Sequence, residues 1–219
     1  MKIIGLNGSP HGNASQTMRL VKEVLRGAKD SGADTEYIDL CALEIGFCNG
    51  CGTCYAKGEC IRDDDYPELL GKILESDGIV FGSPNYINNV TAQAKVVLDR
   101  SADVVHCQLF SGKYACAVST AGGSGAAEVA AYLNRAMAQM GASTVGLVGV
   151  NILGDPDAVA RAGKDAYELG KMLADAIINE QIYPEQEHEL KERKEYMKRL
   201  VLANKDTWIH EYEFWTWAE

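Results

Sequence analysis

The stretch KIIGLNGSPHGNASQT, residues 2–17, holds a short apolar segment, a loop rich in hydroxyls and glycine, and the first residues of a helix. The apolar segment, residues 2–7, has the length and composition of a buried strand. In residues 14–29 the apolar side chains recur at three- and four-residue intervals, as they do along one face of a helix. A buried strand that leads through a polar loop into an amphipathic helix predicts the first half of a βαβ unit.

The same unit recurs along the chain. Asp155 and Pro156 are expected to supply the cap and first turn of the last helix of the series. Strands that alternate with helices form parallel sheets with helices on both faces, which predicts one α/β domain over residues 1–183. Five strands in this pattern indicate a flavodoxin-like, doubly wound five-stranded parallel sheet of order 2-1-3-4-5. Further strands are predicted at 35–40, 78–81, 113–119 and 143–150, and further helices at 64–75, 91–105, 126–140 and 155–179.

The composition excludes two classes of partner. The chain has 219 residues and a formal net charge of −10, without the basic stripe that binds nucleic-acid phosphates. No apolar stretch approaches the roughly 18 residues that span a bilayer. The N-terminus lacks the apolar region of a signal peptide. We therefore expect a cytoplasmic protein that binds neither nucleic acid nor membrane.

Three polar loops follow predicted strands, at the edge where doubly wound sheets bind ligands. The first, residues 8–17, has neither the ending of a Walker A sequence nor a G-x-G-x-x-G fingerprint. Its hydroxyls and exposed N–H groups at a helix N-terminus suit a monophosphate such as that of FMN. The alternative is an ordinary turn with Ser15 as the helix N-cap. The candidate phosphate-binding residues are Ser9, His11, Ser15, Gln16 and Thr17.

The second and third loops are candidates for binding the flavin ring. Backbone groups of residues 82–91 suit hydrogen bonds to an isoalloxazine edge, with Tyr86 stacked against or flanking the ring. The alternative is an exposed helix-entry loop with Thr91 as its cap. Three of the four residues 122–125 are glycine, which permits close approach of a flat ligand. The candidate ring contacts are Ser83, Pro84, Asn85, Tyr86, Ile87, Thr120, Ala121, Gly122 and Gly123.

These motifs resemble the NADPH-dependent FMN reductase and multimeric flavodoxin superfamily. The resemblance rests on GSP with SQT in the first loop, SPNY at 83–86, and the segment from QAK to DR at 93–100, and it covers roughly residues 1–180. It implies that the first loop contacts the phosphate of FMN and that the later two contact the isoalloxazine. His11 stands where the family often has arginine or lysine.

Four of the seven cysteines lie together in the loop 47–62, with the spacing C-x2-C-x2-C-x5-C. Thiolates at such spacings can wrap one iron–sulfur cube. Structural zinc fits less well, because it usually takes two separated pairs of cysteines, and free thiols or a redox disulfide are a third reading. Cys41, Cys107 and Cys116 sit in apolar surroundings and are predicted to be buried core residues. The candidate metal ligands are Cys48, Cys51, Cys54 and Cys60.

On this frame, the cysteine motif is similar to that of the archaeal and anaerobic bacterial iron–sulfur flavoproteins. The resemblance implies a [4Fe–4S] cluster and FMN, with electrons passing from ferredoxin through the cluster to the flavin and on to a small acceptor such as dioxygen or hydrogen peroxide. One alternative is a cluster-free NAD(P)H-dependent FMN or quinone reductase. The non-enzyme alternative is an electron carrier, or a redox sensor with the cysteines as a thiol switch or zinc site. No general acid or base is assigned, and His106 is expected to be a core or surface histidine.

Residues 184–219 differ from the rest of the chain. Residues 184–204 are dense in charged side chains, and all three tryptophans, Trp208, Trp215 and Trp217, fall in the last twelve residues. Because exposing so much aromatic surface is costly, we predict a helical and aromatic C-terminal extension that packs on a neighbouring subunit of a homodimer or homotetramer. Docking of this tail on its own chain is the alternative.

Overall fold

The computed structural model describes residues 1–217 and contains one sheet of five parallel strands. The strand order is β2-β1-β3-β4-β5, which confirms the predicted doubly wound, flavodoxin-like topology. β1 pairs with β2 on one side and with β3 on the other, and its Asn7 lies opposite Asp39 of β2 and Gly82 of β3. The strands are β1 (Lys2–Asn7), β2 (Asp34–Asp39), β3 (Gly78–Pro84), β4 (Tyr114–Ala121) and β5 (Ser143–Asn151).

Nine helices accompany the sheet in residues 1–217. Adjacent strand residues such as Ile3 and Ile4 are both fully buried, because helices cover both faces. The bounds are α1 (Gln16–Asp30), α2 (Thr53–Lys57), α3 (Tyr66–Leu74), α4 (Ala92–Arg100), α5 (Ala102–His106), α6 (Ala126–Gln139), α7 (Ala158–Ile178), α8 (Pro184–Ala203) and α9 (Ile209–Trp217). None of these described helices is both long and apolar enough to cross a membrane.

Helices α1 and α7 share one face of the sheet, and α3, α4 and α6 share the other. The first pair approaches unusually closely. A Cβ atom on Gly27 would collide with the carbonyl of Tyr167, and one on Gly170 would collide with the carbonyl of Val24. Glycine at these two positions therefore permits the close packing of α7 on α1.

The predicted helix 91–105 is interrupted. Ser101 separates α4 from α5, and its buried hydroxyl donates to the carbonyl of Val97 at 2.8 Å. The same hydroxyl lies 3.0 Å from the Tyr66 hydroxyl of α3. A side chain that bonds to the preceding turn and to a second helix competes with continuation of the helical ladder.

The last helix of the domain begins later than predicted. α7 starts at Ala158 with Asp157 at its N-cap, so Asp155 and Pro156 are not its cap and first turn. The Asp155 carboxylate instead accepts from the Asp157 amide at 2.9 Å and pairs with Arg161. This local bond network holds residues 155–157 in a turn ahead of the helix.

Two strands run further than the apolar runs indicated. Pairing continues through Ser83 opposite Ser119 and Pro84 opposite Thr120. Ser83, Pro84, Thr120 and Ala121 are therefore strand residues at the carboxyl edge, not loop residues. Polar side chains are tolerated here because the backbone ladder, not side-chain hydrophobicity, holds the strand ends.

Of the three isolated cysteines, two are buried and one is exposed. Cys107 and Cys116 are buried, as predicted, but Cys41 is exposed, so the expectation for it was wrong. Cys41 lies in a short 3-10 turn, Leu40–Ala42, in which Leu40 takes the buried position and the Cys41 amide donates to the Asp39 carboxylate at 3.0 Å.

Candidate functional site

The three predicted loops meet at the carboxyl edge of the sheet, where hydrogen bonds tie them together. The Thr91 hydroxyl donates to the carbonyl of Gly8 at 2.6 Å, joining the second loop to the first. The hydroxyls of Thr17 and Thr120 lie 2.7 Å apart. The Asn85 amide donates to the carbonyl of Ser124 at 2.7 Å, joining the second loop to the third. The juxtaposition expected from parallel topology is thus present in the chain itself.

The first loop turns sharply before it enters α1. Gly12–Ala14 form a 3-10 turn, and Ser15 is the N-cap of α1, accepting from the Met18 amide at 2.9 Å. The capping alternative for Ser15 is therefore correct, yet its hydroxyl hydrogen remains free to donate to an anion. The α1 N-terminus also offers backbone N–H groups that no preceding turn satisfies.

The candidate phosphate-binding residues divide by burial. Ser9, Ser15 and Thr17 are buried, whereas His11 is exposed and Gln16 is half-buried. The Gln16 side-chain oxygen is buried without a hydrogen-bond partner in the described chain. Because a buried polar atom without a partner is costly, this oxygen is suited to accept a hydrogen bond from a hydroxyl or N–H group of a ligand.

The second loop contains a tight reversal. Tyr86 and Asn89 exchange backbone hydrogen bonds at 2.8 and 3.2 Å, and the two residues between them have positive φ angles, 51° at Ile87 and 58° at Asn88. The Ile87 side chain is 99% exposed. A β-branched residue in the left-handed region is a genuine outlier, and here no burial of its side chain offsets the strain. Ser83 supports the turn, because its hydroxyl accepts from the Thr91 amide at 3.0 Å.

The third loop leaves open space beside the second. Gly122 and Gly123 are exposed, and a Cβ atom at either position would meet nothing within 4 Å. Gly125, at φ 84°, allows the Asn85 amide to pass close to the backbone. The Asn85 side-chain oxygen is itself buried and unpartnered. A helix N-terminus with free donors, two unpartnered amide oxygens and an open glycine floor fit a phosphate-bearing flavin.

The four candidate metal ligands lie on the segment that follows β2 at the same sheet edge. All are free thiols, with Cys48 and Cys51 exposed and Cys54 and Cys60 half-buried. A hydrogen bond with Thr53 lowers the pKa of the Cys51 thiol, whereas burial raises the pKa of the Cys54 thiol to about 12. Within residues 1–217, no three Cys, His, Asp or Glu side chains lie close enough together to hold a metal ion. The donor set fits a cluster, but these thiols are not gathered into a cage.

A buried arginine pins both ends of the cysteine loop. The Arg100 guanidinium donates to the carbonyl of Gly46 at 2.8 Å and to both oxygens of Asp64 at 2.6 and 3.1 Å. It also lies over the Tyr66 ring, 4.6 Å from the centroid. The hydrogen bond from Arg100 is the first cause that lowers the pKa of the Asp64 carboxyl, to about 2. Arg100 closes the QAK-to-DR segment, but no pattern in the sequence links it to Asp64, 36 residues earlier.

The C-terminal tail docks on its own chain, which is the second of the two alternatives. The Trp208 ring stacks on His106 and contacts Tyr55 of α2, with both centroid separations 4.8 Å. The Trp215 indole N–H donates to the carbonyl of His106 at 3.2 Å. Contact with a second subunit stays a prediction, for which Trp217, 86% exposed, offers aromatic surface.

Comparisons with known proteins agree with this architecture. Residues 1–155 match the family model of NADPH-dependent FMN reductase. An iron–sulfur flavoprotein of Archaeoglobus fulgidus is 34% identical over 98% of this chain and 97% of its own length. Another iron–sulfur flavoprotein, from Methanocaldococcus jannaschii, is 44% identical over 46% of this chain and 52% of its own length.

Solved structures support the fold alone. A flavone reductase superposes with a TM-score of 0.64 at 21% identity, over 82% of this chain and 64% of its own. A flavodoxin from the domain Archaea gives a TM-score of 0.56 at 17% identity, over 81% of this chain and 99% of its own. Taken with the sequence matches, these findings show that the chain belongs to the NADPH-dependent FMN reductase family and, within it, to the iron–sulfur flavoproteins, which makes it a flavin-dependent oxidoreductase.

Proposed function

We propose that this chain binds FMN at the three joined loops and a [4Fe–4S] cluster at the cysteine loop, and that it passes electrons from ferredoxin to a small acceptor such as dioxygen or hydrogen peroxide. The observation that carries the proposal is the bonding of the three strand-end loops around one open edge. When bound, a cluster exchanges single electrons and a flavin one or two, so the pair supplies conversion between the two modes.

Each loop has a separate task in this proposal. The start of α1, with Ser9, Ser15 and Thr17 beside it, would hold the FMN phosphate by hydroxyl and N–H donation. His11, being exposed, would add a donor at the outer side. The isoalloxazine would lie between the second and third loops. Its proposed contacts are Ser83, Pro84, Asn85, Tyr86, Ile87, Thr120, Ala121, Gly122 and Gly123.

The cysteine loop would provide the four thiolates of the cluster. Support comes from the spacing of Cys48, Cys51, Cys54 and Cys60 and from the two relatives that bear the iron–sulfur flavoprotein name. Gly50, Gly52 and Gly58 all have positive φ angles, so the backbone turns repeatedly between the thiols. A chain that turns in this way can direct neighbouring thiols toward one point when a metal is present.

Isolation of the protein without oxygen tests the assignment. We expect iron and acid-labile sulfide in equal amounts together with bound FMN. Loss of both iron and sulfide on Cys51→Ser, but not on Cys41→Ser, would assign them to the loop, since Cys41 is exposed but lies outside the cluster motif. Zinc without sulfide would favour the sensor reading. Absence of any metal, with oxidation of NAD(P)H, would favour a cluster-free reductase, and reduction by ferredoxin alone would support the proposal.

A further inference from the structure

Helix α2, which carries Cys54, cannot support itself. It has five residues and is bounded by two glycines in the left-handed conformation, Gly52 at φ 71° and Gly58 at φ 78°. Isolated helices shorter than roughly 12 residues are marginal in water, so a helix of this length needs packing from elsewhere. Neither hydrophobic cluster of the two sheet faces includes a residue of α2. Its support must come from contacts outside these two clusters.

The C-terminal helix α9 and the residue before it supply that support. Tyr55, in the middle of α2, packs against both His106 and Trp208, and the three ring centroids are each 4.8 Å from the other two. At the end of α2, the His210 imidazole lies directly over Gly58, where a Cβ atom would come within 2.5 Å of its Cε1. The tail therefore covers both the middle and the end of the short cysteine-bearing helix.

Glu211 fastens α9 in this position. Its side chain is fully buried, and both carboxylate oxygens lie 3.1 Å from the Nδ1 atom of His106. A buried carboxylate is costly unless it is paired. No residue of α9 belongs to the hydrophobic clusters on the sheet, so this polar contact and the Trp215 bond hold the helix against α5.

We infer that α9 is a clamp that keeps the cysteine-bearing helix α2 folded, with Trp208 and Glu211 as positioning residues for Cys54. In this role the clamp keeps one ligand in place before and during assembly of the cluster. Only this role toward the cluster rests on the proposed function, since the packing of α9 on α2 is independent of what the thiols bind.

Hydrogen–deuterium exchange of the full-length, metal-free protein tests the clamp directly. In Trp208→Ala and in Glu211→Gln, we expect amide exchange in residues 53–58 to rise by roughly tenfold or more, because the helix loses its packing partner. Trp217→Ala and Glu213→Gln are matched controls on exposed positions of α9 and should leave this segment unchanged. Exchange in β4 reports the integrity of the fold. If Trp208→Ala also loses protection in β4, the substitution has disturbed the fold as a whole. The smaller change, Glu211→Gln, then decides whether α9 holds α2. Unchanged exchange at 53–58 in that variant would overturn the inference.

A second measurement uses the cluster as isolated without oxygen. Iron release to a chelator should be about tenfold faster in Trp208→Ala than in Trp217→Ala, following the same local opening. Equal rates, with faster exchange at 53–58 still seen, would confine the clamp to the metal-free chain and overturn its role toward the cluster. If the wild-type protein held no iron and sulfide, the proposed function would fail, while the exchange experiment would still decide whether α9 holds α2.

Discussion

Arg100 holds Asp64 through two hydrogen bonds and, with the same guanidinium, holds the carbonyl of Gly46, so that one buried side chain fastens both ends of the cysteine loop. The Asp64 carboxylate reciprocates by accepting from the Gly46 amide at 3.0 Å. A loop of glycines and thiols has little packing of its own. This ion pair therefore holds the two ends of the loop together. The α9 clamp acts within the loop, on α2.

Asp64→Asn should destabilise the protein at neutral pH by about 3 kcal/mol, because it leaves the buried Arg100 charge without its partner. The pKa of Asp64 is lowered to about 2, so its stabilisation is present above about pH 4 and is lost as the pH falls toward 2. The difference in unfolding free energy between wild type and variant should narrow over that range. Urea unfolding at several pH values measures it. Asp63→Asn, on an exposed neighbour, is the control, and a difference independent of pH would contradict the account.

Gly123→Val should weaken FMN binding without unfolding the protein. A side chain at Gly123 meets nothing within 4 Å in the described chain, so the fold has room for it. If the flavin ring occupies that space, overpacking costs about 1–3 kcal/mol and raises the Kd for FMN roughly ten- to hundredfold. Gly71→Val, at an equally open position on α3, is the matched control. Quenching of FMN fluorescence measures the Kd for FMN in both variants. Equal affinities in the two variants would place the ring elsewhere.

Ile87→Asn should stabilise the fold by about 1 kcal/mol, because asparagine tolerates the left-handed backbone far better than a β-branched side chain does. The Ile87 side chain buries nothing in the described chain that the substitution would lose. The reciprocal change, Asn88→Ile at φ 58°, should be destabilising. Thermal unfolding measures both. A fall in Tm for Ile87→Asn would show that the strain is absent. If Ile87 contacts the flavin, the stabilised variant should also bind FMN more weakly.

The sheet and its ligand-binding edge were predictable because they depend on local periodicity and on the rule that parallel strands end at one edge. The alternation of apolar and helical segments fixes the element order, and the polar loops follow from it. The predicted strands end at Phe81 and Ser119, close to where the apolar runs stop, whereas the backbone ladder between β3 and β4 continues through Pro84 and Thr120. Here hydrogen bonding extends an element past its hydrophobic signal.

Polar contacts between residues far apart along the chain could not be predicted from the sequence. His106 and Glu211 are 105 residues apart, and Arg100 and Asp64 are 36 apart, with no pattern that links either pair. The tryptophans signalled that the tail must be covered, and the choice between its own chain and a neighbour depended on packing that no periodicity encodes. The prediction that Cys41 is buried was wrong for a related reason. Leu40 and Cys41 are equally suited to burial, and only the 3-10 turn decides which of them is buried.

The most direct test is whether the protein isolated without oxygen binds FMN when given an excess. We predict one equivalent bound per chain, with the absorption of a protein-bound flavin, and binding weakened by Gly123→Val. Protein that stayed colourless and retained no FMN would contradict the proposed flavin site, because the joined loops at the start of α1 would then hold no flavin.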